Sequence, residues 1–124
     1  MQTLHVDLPD RNYPIYIGAQ LLAEPELFRR HLLGRQVLVV TNTTVAPLYL
    51  APVVAALAGL KVQTLILPDG EPYKTLETWA TLFDALLAHR FDRQCTLLAL
   101  GGGVIGDITG FAAACYQRGV GFIR

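Results

Sequence analysis

Two unbroken apolar runs of strand length, "QVLVVT" at residues 36 to 41 and "CTLLAL" at 95 to 100, constrain this chain most. A strand with one wet face alternates polar and apolar residues. A strand with no polar face must be covered on both sides, as in a parallel sheet flanked by helices. "KVQTLILP", residues 61 to 68, reads as a further strand, closed by the turn "PDG". The intervening segments have helical spacing. Residues 19 to 33 place Leu21, Leu22, Leu27, Phe28 and Leu32 at helical intervals and stop at Gly34. An apolar helix follows from about residue 45 to 58 and ends at Gly59. Thr75 to His89 predict an amphipathic helix with Leu76, Trp79, Phe83, Leu86 and Leu87 on one stripe. A small-residue helix is expected from about Gly106 to Gln117, and "VGFIR" begins one more strand. Ahead of all this, Leu4, Val6 and Leu8 alternate with Thr3, His5 and Asp7. "PDRN" is turn chemistry and "YPIYI" returns, so residues 3 to 17 read as a hairpin. The order after the hairpin is β-α-β-α-β-α-β, which argues an α/β fold with helices on both faces of a parallel sheet.

The 124 residues suit one domain, and 52% of them are apolar, enough for a core. Ten basic and ten acidic side chains balance, so no nucleic-acid partner is expected. "MQTLHVDLPDRNY" lacks the features of a signal peptide. The most apolar window, residues 45 to 60, contains two prolines and falls short of the ~20 residues a membrane span needs, so no membrane partner is expected either. Cys95 and Cys115 belong to no paired motif and sit in apolar stretches, which predicts buried reduced thiols and a cytoplasmic location. The chain stops in or just after its last strand, which suggests part of a larger unit.

The apolar run at 97 to 100 leads into Gly101, Gly102 and Gly103, then Val104, Ile105, Gly106 and Asp107. Glycine costs roughly 0.5–1 kcal/mol relative to alanine in a regular element, so something there needs bare backbone. In a parallel sheet, ligands bind beyond the C-terminal strand ends. The glycines lie at such an end, before a helix N-terminus whose free N–H groups suit phosphate. Gly101, Gly103 and Gly106 fit G-x-G-x-x-G in the required strand–turn–helix setting. The motif follows the third strand of the alternating unit rather than the first, and the acidic partner expected about 20 residues on would fall beyond Arg124. The alternative is a tight turn with close helix–sheet packing. Asp107 either serves the ligand or simply favours the helix dipole.

"LPDGEPYKTLE", residues 67 to 77, follows another strand end. Pro68, Asp69 and Gly70 make a tight turn, beyond which Glu71 and Lys74 project. A carboxylate accepts from ribose hydroxyls and an ammonium pairs with phosphate. The plain alternative is a loop of solvated charges. At a third strand end, "TNTT", Asn42 either holds a ribose or caps the next helix. His5, His31 and His89 have no metal-ligand spacing, and no nucleophilic triad can be assembled. Arg118 either caps its helix or projects to bind an anion.

"LPDGEPYKTLE" followed some twenty-five residues later by "LALGGGVIGDITGFAAACYQRGVGFI" resembles the N-terminal half of the 3-dehydroquinate synthase family, within the sugar-phosphate cyclases. The hairpin and "VVTNTTVAPLYL" agree. The resemblance implies a Rossmann-like NAD-binding domain over residues 1–124. It implies a synthase that converts 3-deoxy-D-arabino-heptulosonate 7-phosphate to 3-dehydroquinate and phosphate on the shikimate pathway, with NAD used catalytically and a divalent metal, zinc or cobalt, assisting. It places Asn42 at the adenosine ribose. Asp69, Gly70, Glu71, Pro72, Tyr73 and Lys74 become the first NAD loop, and Gly102, Gly103, Val104, Ile105, Gly106 and Asp107 the second. Arg118 becomes the group that reaches the substrate phosphate of a neighbouring subunit, hence a homodimer. The metal ligands belong to a helical C-terminal domain not contained in these residues, so this chain alone is expected to be inactive.

Three other readings compete. Iron-dependent alcohol or glycerol dehydrogenases share a GGG loop, but usually with serine where Val104 stands here. Other sugar-phosphate cyclases are poorly separated by this half. A non-catalytic nucleotide-binding module is the third.

Overall fold

The computed structural model describes all residues from Met1 to Arg124. Strands β1 (Gln2–Leu8) and β2 (Arg11–Ile17) form the expected antiparallel hairpin, with Leu8 paired to Arg11 across a two-residue turn. A 3-10 turn at Leu21–Ala23 and a short helix α1 (Pro25–Arg29) lead into β3 (Gln36–Asn42). Then come α2 (Ala46–Ala56), β4 (Lys61–Leu67), α3 (Leu76–Ala88), β5 (Thr96–Ala99), α4 (Gly103–Cys115) and β6 (Gly121–Ile123). Strands β3 to β6 form one parallel sheet in the order β4-β3-β5-β6.

The apolar runs do what their composition requires. Side chains along a strand alternate between faces. Val37 and Val39 of β3 and Leu98 of β5 therefore enter one core with Phe28, Val53 and Leu57. Leu38 and Val40, with Leu97 and Ala99, enter a second core with Leu82, Leu86, Ile105 and Ile108. Helices α1 and α2 thus cover one face, and α3 and α4 the other. Within the sheet the chain starts at β3, steps to β4 on one side, then crosses to β5 on the other. This is the 2-1-3-4 order of doubly wound folds, whose ligand crevice opens between the first and third strands. The order also explains why the glycine run follows the third strand of the unit.

Several local expectations change. Residues 19 to 33 do not form one helix: only the 3-10 turn and the five residues of α1 are helical. Pro25 forces the preceding Glu24 into extended backbone (φ −100°, ψ 99°), which separates the two turns. Helix α4 begins at Gly103 rather than Gly106, and it ends at Cys115 because Tyr116 turns to extended backbone (ψ 127°), followed by positive φ at Gln117 and Arg118. On α3 the inward residues are Leu82 and Leu86, flanked by Trp79 and Phe83. Leu76 is 78% exposed and Leu87 61% exposed, so neither belongs to the buried stripe. Leu76 sits in the first turn, and Leu87 is turned about 100° from Leu86.

The two cysteines also separate. Cys95 is buried, and burial pushes its thiol up to about 11, which keeps it protonated. Cys115 is exposed, contrary to the expectation of two buried thiols. The inward residues of α4 in that region are Ala112 and Ala113, which leaves Cys115 on the outer side. The hairpin pairs as its alternation predicts, yet Leu4, Leu8, Tyr13, Ile15 and Ile17 remain exposed. Its side-chain link to the body is a hydrogen bond between Tyr16 Oη and His31 Nε2 at 3.0 Å.

Leu97 is fully buried at the centre of β5. Leu97→Ala is expected to lower unfolding free energy by about 2–5 kcal/mol, measured by urea denaturation. A loss below about 1 kcal/mol would contradict a packed central strand.

Candidate functional site

The C-terminal ends of β3, β4 and β5 lie side by side. Asn42 pairs with Leu67, and Val40 with Ala99. Two bonds pin the end of β5 to β3: the Leu100 N–H donates to the Val40 carbonyl at 2.9 Å, and Thr41 Oγ1 donates to the Leu100 carbonyl at 2.7 Å. Three loops leave these ends together: the turn after Asn42, the loop from Pro68 to Thr75, and the glycines.

The four glycines of this region divide into two kinds. A side chain at Gly101 would meet Ile105 Cβ at 3.1 Å, and one at Gly106 would meet the Arg124 guanidinium at 2.6 Å. Internal packing accounts for both, and Gly106 makes room for an arginine at the end of β6. Gly102 and Gly103 have nothing within 4 Å of a built Cβ. Gly102 has negative φ (−85°), and Gly103 is the first residue of α4. Neither strain nor crowding within the chain requires glycine at these two positions. The bare backbone faces open space at the start of a 13-residue helix whose first turn no side chain caps. The free N–H groups and dipole of such an end favour an anion. Ile105 is buried and Val104 packs against the core, so these two could serve a ligand only through backbone amides.

Asn42 is 7% exposed, and its side chain makes three hydrogen bonds, which leave one Nδ2 hydrogen unused. Its Oδ1 accepts from the N–H groups of Thr44 (3.0 Å) and Val45 (2.8 Å), which caps the turn into α2. That fixes the amide so that Nδ2 donates to Asp69 Oδ1 at 3.2 Å. Thr44 Oγ1 donates to Asp69 Oδ2 at 2.7 Å. Capping and participation in the polar loop cluster are therefore not alternatives for Asn42. Thr44 went unrecognised in the sequence, where only its place in "TNTT" marked it.

In the loop after β4, Gly70 has φ +123°, a conformation that glycine alone adopts without strain. Glu71, Pro72 and Tyr73 form a 3-10 turn, and Pro72 and Tyr73 line a shallow depression of about 470 Å³ with Leu67 and Thr75. Thr75 caps α3, accepting from the Thr78 N–H. Trp79 Nε1 donates to the Ile108 carbonyl at 2.8 Å, which ties α3 to α4. A larger depression of about 690 Å³, lined by Gly18, residues 20 to 23 and, on α2, Tyr49 and Pro52, carries no carboxylate, histidine or cation.

Lys74 spans the crevice. Its Nζ lies 2.9 Å from Asp107 Oδ2 and 3.7 Å from Glu71 Oε1. The contact joins the loop after β4 to the helix after β5, across the end of β3 between them. The hydrogen bond from Lys74, then its charge, holds the Asp107 carboxyl below the usual range, and Asp107 raises the Lys74 ammonium in return. Arg124 adds to the lowering of Asp107. Arg118 stands elsewhere. It lies past the C-terminal end of α4, about 20 Å along the helix from the glycines. Its side chain makes no hydrogen bond or ion pair, so it does not cap the helix. No group of three His, Cys, Asp or Glu side chains is placed to hold a metal ion, and no helix is long and apolar enough to cross a membrane.

The comparisons agree with this geometry. Over 98% of this chain and 35% of its own length, 2-deoxy-scyllo-inosose synthase superposes with a TM-score of 0.87 at 25% identity. The 2-epi-5-epi-valiolone synthase of Streptomyces hygroscopicus, solved with NAD⁺ and Zn²⁺, gives a TM-score of 0.77 at 32% identity, over 94% of this chain and 33% of that one. Fold and strand-end crevice together define a Rossmann-like domain of the sugar-phosphate cyclase type. Residues 64–124 match the model of the 3-dehydroquinate synthase N-terminal family. The whole chain is 61% identical to the 3-dehydroquinate synthase of Methylococcus capsulatus and 60% identical to that of Pseudomonas aeruginosa. The chain spans 34% of the length of these relatives.

The ion pair has a defined pH signature. Asp107 is lowered in the folded state, so its stabilisation is present above the ordinary carboxylate range and lost as pH falls through the lowered value. Lys74 is raised, so its share is present below the ordinary ammonium range and lost as pH rises through the raised value. Lys74→Met should return the Asp107 titration upward, followed by carbon NMR of its carboxyl. An unchanged Asp107 titration would contradict the pairing.

Proposed function

We propose that residues 1–124 form the NAD-binding domain of a 3-dehydroquinate synthase. The complete enzyme converts 3-deoxy-D-arabino-heptulosonate 7-phosphate to 3-dehydroquinate and phosphate. The observation that carries the reading is the bare backbone at Gly102 and Gly103, which no packing inside the chain explains. A pyrophosphate fits there, against unpaired N–H groups and the positive end of α4. Bound NAD supplies a reversible hydride acceptor. This chain's residues bind and orient it. Asn42 and Asp69 present polar groups to the adenosine ribose, with Gly70 shaping the turn. Glu71, Pro72, Tyr73 and Lys74 form the first loop over the dinucleotide. Gly102, Gly103, Val104 and Ile105 offer the second loop's backbone. Gly106, whose N–H already donates to the Gly102 carbonyl, only makes room for Arg124, and Asp107 lies with Lys74 at the cleft's opposite wall.

The residues for a divalent metal, zinc or cobalt, would come from the rest of the synthase, which also supplies most of the substrate site. Alone, the chain is inactive in this reading. Arg118, remote from its own crevice, is free to meet the substrate phosphate of a second subunit in a homodimer. The enzyme would work in the cytoplasm, with small-molecule substrates and neither nucleic acid nor membrane as partner. The solved cyclases that share the fold favour a second reading, a cyclase making a different ring. One of them is a 2-deoxy-scyllo-inosose synthase complexed with carbaglucose-6-phosphate, NAD⁺ and Co²⁺. Identity of 60% over the whole chain to dehydroquinate synthases, against 25–32% to those cyclases, supports the first.

Gly103→Ala separates ligand from fold. Alanine is the better helix residue by roughly 0.5–1 kcal/mol and meets nothing in the chain, so thermal stability should hold or rise. Its methyl group enters the space assigned to pyrophosphate, so NAD affinity in calorimetry should fall roughly tenfold or more. Wild-type affinity in the variant would overturn the assignment. A second test mixes the chain with the separately produced remainder of a synthase, NAD and zinc. Turnover of the heptulosonate phosphate is expected, and its absence with both parts folded and NAD bound would favour a non-catalytic nucleotide-binding module.

A further inference from the structure

The Asp69 carboxylate is held before any ligand arrives. Thr44 Oγ1 donates to one oxygen at 2.7 Å and Asn42 Nδ2 to the other at 3.2 Å. The Asn42 amide cannot turn over, because its oxygen already accepts two backbone N–H groups. Each carboxylate oxygen accepts one bond here and has a further lone pair to offer. No cation pairs with Asp69. The nearby Lys74 is engaged by Asp107 and Glu71 instead. Glu71 follows two residues later, so a second carboxylate stands on the same loop. The independent sign of a ligand is the open backbone at Gly102 and Gly103, two strands away at about 10 Å.

We propose that Asp69 determines which dinucleotide this chain accepts, taking NAD and rejecting NADP, and that Thr44 is the positioning residue that aims it. The inference rests on the NAD reading above. A free 2′-hydroxyl can donate to an oriented, unpaired carboxylate. A 2′-phosphate carries up to two negative charges and no hydroxyl to donate at that carbon. It would meet Asp69 and Glu71 with no free cation to offset them. Both carboxylates stand at the exposed rim, and like charges a few ångströms apart repel there too, less than they would in a buried site.

The test is calorimetric titration of the 124-residue chain with NAD and with NADP, on wild type, Asp69→Asn and Thr44→Val. The ratio of the two dissociation constants is the readout. Both ligands see the same folded fraction, so partial unfolding of a variant cancels. Wild type should favour NAD by about tenfold or more. Asp69→Asn keeps the shape and removes the charge, so the preference should collapse toward equality, with NADP binding gained in absolute terms. Thr44→Val should reduce the preference part of the way and leave NADP weaker than NAD. Equal binding of both ligands by wild type would overturn the inference and leave the NAD reading intact. So would an unchanged ratio in Asp69→Asn. Binding of neither ligand by a folded wild-type chain would remove the NAD reading, and this inference with it.

Discussion

Everything in this domain depends on the double burial of β3. Val37, Leu38, Val39 and Val40 are almost completely excluded from solvent on both faces of the sheet. A strand so placed must hydrogen-bond along both edges, and β4 and β5 do this in parallel register. Parallel pairing in turn requires helical crossovers, which become the two covering layers. The pairing also brings three C-terminal strand ends to one level. A crevice at the switch between β3 and β5 is therefore a consequence of how the core is closed.

The polar groups at that crevice are arranged by the same economy. Thr41 bonds the Leu100 carbonyl, so the turn into the glycines starts from a fixed point. Asn42 satisfies two backbone donors of the turn into α2 and still reaches Asp69. Lys74 links the second loop to α4 through Asp107. These contacts organise the three loops while leaving Gly102 and Gly103 uncovered. Engaged side chains thus surround a stretch of open backbone.

The strands and their alternation with helices were legible because long apolar runs leave few choices. The order of the strands across the sheet came only from the structure. The position of the three loops at strand ends was legible with the strands themselves. The irregular segment from residue 19 to 34 was not, because apolar spacing there suggested a helix that the geometry imposed by Pro25 interrupts. The exposed Leu76 and Leu87 show the limit of periodicity: it identifies a stripe but not how far the neighbouring layer extends along it. The two roles of the glycines were not separable either. Only the positions of Ile105 and Arg124 reveal that Gly101 and Gly106 answer to packing, and that Gly102 and Gly103 do not. Thr44 was hidden for a similar reason, since its partner Asp69 is twenty-five residues away in the chain.

The most direct measurement is an amide NMR titration of the chain with NAD. The largest shifts should fall at Gly102, Gly103 and Val104, with smaller ones at Asn42, Thr44 and Asp69. Shifts confined to the depression beside Leu21 and Tyr49, or no shifts from a folded chain at millimolar NAD, would contradict the placement of a dinucleotide at the strand-end crevice.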